Sequence, residues 1–216
     1  MDLIDLAALQ AAPLRREPYD HVVVPGFVKP WVLADIHRDY PAIDQPGSIP
    51  VGIYPHGPAF ARLLAELQGW AIEAAFEEKF GLDLSACPRM ITVRGMCRPT
   101  DGKIHTDSAS KVVTVLIYLN PPWESEGGRL RLLRSPDLAD AAAEVPPEQG
   151  TLLAFRRSER SWHGHAPFEG PRRAIQLNWV KGQIYIWHEQ WRHRLGAWGR
   201  RLLGPPRSGG HPIPDL

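Results

Sequence analysis

The rhythm of apolar and polar residues changes once along the chain. Up to about residue 80 the spacing is mostly helical. Leu3 to Ala11 reads as a short helix ended before Pro13, and Tyr19 to Val24 as a strand stopped by Pro25-Gly26. Pro30 opens a second helix in which Trp31, Leu33, Ile36 and Tyr40 fall on one face. Phe60 to Phe80 is the clearest helical pattern. Its apolar stripe is Leu63, Leu64, Leu67, Trp70, Ala71, Ala74 and Phe76, and Gly81 supplies the stop.

Beyond Gly81 the rhythm is that of strands. The candidates are Arg89 to Met96, Lys103 to Asp107, Lys111 to Leu119, Arg129 to Leu133, Thr151 to Phe155, Trp162 to His165 and Arg172 to Val180. Gly127-Gly128, Gly150 and Gly170-Pro171 punctuate them. Lys111 to Leu119 is almost wholly apolar, which predicts burial on both faces. Ser135 to Gln149 reads as a loop with a short helical piece. Gly182 to Leu203 reads as a helix carrying Trp187, Trp191, Trp198 and several arginines, and 205–216 as a Pro- and Gly-rich tail. The fold class that follows is mainly β with flanking helices (α+β): one sheet sandwich or barrel backed by an N-terminal helical layer. One domain is expected over 1–216, with helical support and a first strand in 1–85, a β core in 86–181, a helix in 182–204 and the tail.

Composition narrows the class without naming a function. The formal net charge is +1, which gives no electrostatic bias toward nucleic acid. Cys87 and Cys97 are the only cysteines, a usage expected of a reduced cytoplasmic protein. Asp2 and Asp5 stand where a secretory signal would carry basic residues, and no apolar run is long enough for a transmembrane segment.

The chemistry enters at His105-Thr106-Asp107. Two residues one apart on a strand point to the same face, so this pair can give two ligands to one metal ion. A later histidine would complete a two-histidine, one-carboxylate set. Ser161-Trp162-His163-Gly164-His165 offers two such histidines, and alternation alone leaves both open. Further on, Arg172, Ala174, Gln176 and Asn178 share one strand face and suit a polar barrel interior. Arg173, Ile175, Leu177 and Trp179 share the other and suit packing against helices.

The ordered set of His105-Thr106-Asp107, VVTVLIYLN from Val112, Trp123, GGRLRL from Gly127, PEQGTLLAF from Pro147, WHGHAP from Trp162 and RRAIQLNW from Arg172 resembles the 2-oxoglutarate/Fe(II) oxygenases, in particular their prolyl 4-hydroxylase-like branch. The resemblance covers roughly 89–180. It implies a double-stranded β-helix of the jelly-roll or cupin kind, with Fe(II), 2-oxoglutarate and O2 as cofactor and cosubstrates. By the same resemblance the iron ligands are His105, Asp107 and His163, because Pro167 and Arg172 then stand four and nine residues after the distal histidine. His165 becomes a pocket residue. Arg172 and Tyr118 resemble the groups that hold the distal carboxylate of 2-oxoglutarate, a pairing a guanidinium fork makes well. Leu130 would pack on the cosubstrate and Asn178 would touch it.

The prime-substrate pocket is expected from Arg94, Met96, Trp162, His165 and Gln176. Family members often carry a tyrosine near Arg94 and Met96, and this chain does not. An intact Asp107 implies hydroxylation, since halogenating relatives have Ala or Gly at the acid position. The reaction expected is hydroxylation of a C–H bond in a small molecule such as an amino acid or sugar, with release of succinate and CO2. The alternatives are hydroxylation of a protein side chain such as proline, and a non-catalytic metal- or sugar-binding barrel. The Trp- and Arg-rich C-terminal helix is expected to cover the barrel or to form a homodimer or other surface contact.

Overall fold

Two unequal sheets face each other and helices cover the outside of the larger one. The computed structural model describes residues 1–182, so the predicted C-terminal helix and tail lie outside the described residues. The helices are α1 (Leu6–Ala11), α2 (Pro30–Asp39), α3 (Pro58–Leu67) and α4 (Trp70–Phe80). The strands are β1 (His21–Val24), β2 (Ile49–Pro50), β3 (Arg89–Cys97), β4 (Lys111–Tyr118), β5 (Leu130–Leu133), β6 (Ala141–Val145), β7 (Leu152–Arg156), β8 (His163–Gly164) and β9 (Gly170–Val180). The larger sheet runs β1-β7-β4-β9-β3-β2 and the smaller β6-β5-β8. A bridge between His105 and His163 adds the 103–107 segment to the free edge of β8. This is the double-stranded β-helix expected above.

Alternation along the central strands divides the core in two. Val113, Val115, Ile117, Ile175, Leu177 and Trp179 turn outward and bury against α1–α4. Leu116, Tyr118, Leu153, Phe155 and Ala174 turn inward and meet Leu130, Leu132 and Val145 of the smaller sheet. Strand β4 is therefore apolar because both of its faces are covered.

Several expectations need correction. The Phe60 to Phe80 pattern is two helices, separated at Gln68–Gly69, where Gly69 takes an extended conformation as N-cap of α4. Trp70 then stands at the first turn of α4 and is 81% exposed, and Ala74 is exposed as well, so neither joins the buried stripe. Trp31 is also exposed, and Val32 takes the buried place beside Ile36. The stretch read as a loop with helix contains strand β6, formed because Ala143, Glu144 and Val145 pair with β5. The Lys103 to Asp107 strand shortens to the single bridge at His105, and the Trp162 to His165 strand to His163–Gly164. The short strand β2, read from no pattern, pairs with Thr92 and Val93 at the edge of β3.

Candidate active site

Backbone pairing assembles the centre. His105 and His163 exchange two N–H···O bonds of 3.0 Å each, which sets their rings side by side with centroids 4.4 Å apart. Asp107 follows two residues on. One ligand atom from each of His105, Asp107 and His163 lies within 4.8 Å of the other two. His105 is exposed, whereas Asp107 and His163 are buried.

The tautomers suit metal binding. His105 Nδ1 lies 2.8 Å from the Lys103 carbonyl, and His163 Nδ1 lies 2.9 Å from the Ser161 carbonyl. A carbonyl can only accept, so each Nδ1 carries the proton and each Nε2 keeps its lone pair for a metal. In both cases the orienting carbonyl belongs to the residue two positions upstream. Burial holds His163 neutral, lowering its pKa to about 4 against the pull of Asp107.

Asp107 is held by two groups. Its Oδ1 accepts from Lys111 Nζ at 2.7 Å and its Oδ2 from Thr114 Oγ1 at 2.6 Å. Burial alone would raise its pKa, but Lys111, His163 and Thr114 outweigh that and keep it below the usual carboxylate range. Lys111 and Thr114 are three apart, so a regular strand would turn them to opposite faces. Strand β4 instead pairs Lys111 with Val180 and Val113 with Trp179, which leaves Val112 as an extra residue. That bulge turns Lys111 to the side of Thr114, so both reach Asp107. Neither residue was singled out from the sequence, because nothing in a run of apolar residues marks a bulge. Tyr19 was also missed. It donates to the Trp162 carbonyl at 3.0 Å and packs edge-on against Phe155, which in turn touches the His163 ring.

A second bulge serves Arg172. Arg94 pairs with Ala174 and Met96 with Pro171, so Gly95 alone faces both Arg172 and Arg173. Arg172 is buried, its Nε donating to the Gly128 carbonyl at 2.8 Å and its guanidinium 5.3 Å from the Tyr118 ring centre. Arg173 lies on the other side, reaching the His37 carbonyl and the Tyr40 ring. Among the described residues, Arg172 Nη2, Tyr118 Oη and Asn178 Nδ2 are buried without a hydrogen-bond partner. Burial pushes the Tyr118 pKa up, against the charge of Arg172, so the phenol keeps its proton.

The other predicted residues take different places. His165 is buried with its Nδ1 on the Ala166 carbonyl, and its ring fills the space where Gly102, at φ +77°, has no side chain. Any Cβ at Gly102 would collide with that ring. Leu130 packs with Tyr118 in the inner core. Gln176 donates to Asn178 Oδ1, which lies 3.1 Å from Thr114 Oγ1, the hydroxyl whose single proton is on Asp107. Trp162 gives its carbonyl to Tyr19 Oη and to the Leu133 amide. Met96 is half-buried next to the bulge, and Arg94 donates from Nε to Ser48 Oγ at 2.9 Å.

Two outcomes follow from this geometry. Lys111→Met leaves Asp107 charged, buried and short of a partner, so metal-free protein should lose about 3–5 kcal/mol of stability. Added divalent metal should restore part of it, which denaturant titration with and without metal will show. His163 and His165 both have folded pKa values near 4, below the 6.5 of a free histidine, with burial as the main cause. As pH falls the unfolded chain binds these protons first. The stability present above about pH 6.5 should therefore be lost progressively toward pH 4. The thermal midpoint of metal-free protein should fall across that window, less steeply in His165→Asn.

Orphaned donors and a two-histidine, one-carboxylate set fit a carboxylate cosubstrate and a divalent iron, respectively. The comparisons with known proteins agree. Residues 95–181 match the family model described as the 2OG-Fe(II) oxygenase superfamily. Among solved structures, the fold is similar to a Pseudomonas putida prolyl-4-hydroxylase (20% identity, 82% of this chain and 92% of that one, TM-score 0.57). It is also similar to an oxidoreductase of the 2OG-Fe(II) oxygenase family from Burkholderia pseudomallei (12% identity, 82% and 92%, TM-score 0.55). A third likeness is to a prolyl 4-hydroxylase from Phytophthora capsici (16% identity, 85% and 68%, TM-score 0.53). No curated protein matches the chain. The 95–181 segment is thus similar to the 2OG-Fe(II) oxygenase superfamily, and within it His105, Asp107 and His163 form a group that could hold a metal ion.

Proposed function

We propose that this oxygenase hydroxylates a C–H bond of a small molecule, with His105, Asp107 and His163 as its iron ligands. The observation that carries the assignment is the shared tautomer of the two histidines, each Nδ1 spent on a backbone carbonyl so that each Nε2 keeps its lone pair, in a group whose ligand atoms converge with that of Asp107. When bound, iron and 2-oxoglutarate supply oxidative decarboxylation to succinate and CO2, with one oxygen atom of O2 passing to the C–H bond.

The chain's own residues position the reactants. Arg172 Nη2 and Tyr118 Oη would donate to the distal carboxylate of 2-oxoglutarate, and among the described residues both atoms are buried without a hydrogen-bond partner. Leu130 lies beside Tyr118 and gives that end of the cosubstrate an apolar wall. Lys111 and Thr114 keep Asp107 ionised and fix its rotation, while its remaining lone pairs stay open to the metal. Asn178 accepts from Gln176 through Oδ1, and its amide N–H is buried and unpaired among the described residues.

The polar inner wall supports a small substrate. Thr92, Arg94, Gln176 and Asn178 lie on neighbouring rows of β3 and β9, inside the barrel rather than on an outer surface. A hydroxylase of a protein side chain is the second reading, favoured by the exposure of His105 and by neighbours whose names state prolyl hydroxylation. No helix among the described residues is long and apolar enough to cross a membrane. Succinate release measured with free amino acids and sugars against proline-containing peptides separates the two readings. Turnover stimulated by a small molecule supports the first. Stimulation by peptides alone replaces it with the second.

A further inference from the structure

Two guanidinium groups stand on the inner wall, and only one is needed for the cosubstrate. Tyr118, Ala174 and Arg94 are register partners in one row across β4, β9 and β3. Paired residues turn their side chains to the same face, so Arg94 faces the barrel interior with Tyr118. Adjacent strands lie about 4.8 Å apart, which puts the Arg94 and Tyr118 backbones roughly 10 Å from each other. Between them is Ala174, whose small side chain leaves the row open.

Arg94 is also drawn away from Tyr118. Its Nε donates to Ser48 Oγ, in the segment that leads into β2 on the far side of β3. Arg172 lies at the Tyr118 side, held by Gly128. The two cations therefore mark two places, one against β4 and one at the β2–β3 rim.

Among the described residues Arg94 makes no ion pair. Asp101, whose charge it feels, is taken up by Arg98: its Oδ1 accepts from Nη2 at 3.1 Å and its Oδ2 from the Arg98 amide at 3.0 Å. Arg94 is half-buried, burial and the charge of Arg172 both lower its pKa, and among the described residues its terminal nitrogens make no hydrogen bond. Ser48 engages one donor, which leaves the two-nitrogen fork of the guanidinium for a planar anion. A second positive charge in an already cationic pocket disfavours a neutral, apolar guest. It favours one with a negative charge at some distance from the bond oxidised near the iron. One guanidinium and one hydroxyl match a singly charged carboxylate better than a phosphate dianion.

We infer that the prime substrate is a small molecule bearing a carboxylate, which Arg94 and Ser48 hold at the β2–β3 rim while Arg172 holds 2-oxoglutarate. This rests on the small-molecule hydroxylase reading above and adds the substrate's charge class. The mechanism does not use Arg94 otherwise, so its role is to select and place the substrate.

The test pairs each acid with its amide. Free amino acids and short mono- and dicarboxylic acids are compared with their primary amides, phosphate esters and proline peptides with and without an acidic neighbour. Two readouts are taken with wild type, Arg94→Gln and Arg94→Lys: succinate release, and the thermal midpoint of anaerobic protein loaded with Mn(II) and 2-oxoglutarate. At least one acid should raise both while its amide does not. In Arg94→Gln that acid's KM should rise about 10- to 100-fold, the loss expected for a charge-assisted hydrogen-bond pair. Arg94→Lys should recover part of the loss. Acids and amides acting equally, or no acid shifting the midpoint, would overturn the charge assignment alone. A rise in KM for 2-oxoglutarate in Arg94→Gln, with selectivity unchanged, would move Arg94 to the cosubstrate and also overturn it. Activity with peptides only, whatever their charge, would bring down the small-molecule reading itself.

Discussion

Asp107→Ala is expected to abolish succinate production while leaving the protein folded. Removing a residue that merely supports a metal ligand costs about 10–100-fold in affinity or activity, so losing a ligand should cost more. The substitution also frees Lys111 and Thr114, whose bonds of 2.7 and 2.6 Å converge on this carboxylate. Lys111 is a flexible side chain near solvent and can turn outward, which keeps the damage local. His163→Ala should behave like Asp107→Ala. His165→Ala should retain iron binding, because the His165 ring packs against Gly102 and its Nδ1 is on Ala166, outside the set of converging ligand atoms. Metal content after anaerobic loading, measured beside turnover, separates a lost ligand from a misfolded chain.

Arg172→Gln should raise KM for 2-oxoglutarate by roughly 10- to 150-fold, the range for losing hydrogen bonds to a charged group. Tyr118→Phe removes one neutral donor and should cost about 2- to 10-fold. Arg172→Lys should not restore the wild-type value. A lysine cannot hold the Gly128 carbonyl with one nitrogen while presenting another, fixed in plane, to a carboxylate. If Arg172→Gln left KM for 2-oxoglutarate unchanged, the anchor would have to be elsewhere, and Arg94 would be the first alternative.

The parts of this molecule that could be read from sequence are those governed by strict alternation. Strands β4 and β9 show it best. One apolar face packs on the helices, while the other carries Thr114, Tyr118, Arg172 and Asn178 inward. The motif His105-Thr106-Asp107 was legible by residue type and spacing, although it sits in an extended segment with one bridge rather than in a full strand. What escaped depends on irregularity. The bulge at Val112 brings Lys111 to Asp107 and leaves no compositional mark; the extra residue opposite Gly95 leaves none either, although alternation alone had already put Arg172 and Arg173 on opposite faces. Gly95 itself is required because Ile43 leaves no room there for a side chain. Strand β6 was missed because Ala141, Ala142 and Ala143 have little intrinsic strand preference and extend only through pairing with β5. The break at Gly69 was hidden by Trp70 and Ala74, which continue the apolar spacing of α3 yet lie exposed. Tyr19 could not be placed near the site because its closest partners stand more than 130 residues away in the chain.

The reading of the centre meets its most direct test in anaerobic absorption spectroscopy. Fe(II) and 2-oxoglutarate added together to the wild-type protein should produce a weak visible charge-transfer band that neither produces alone. His163→Ala and Asp107→Ala should lack the band and His165→Ala should keep it. A wild-type protein with no band, or a band that survives in His163→Ala and disappears in His165→Ala, would contradict the assignment of the iron ligands.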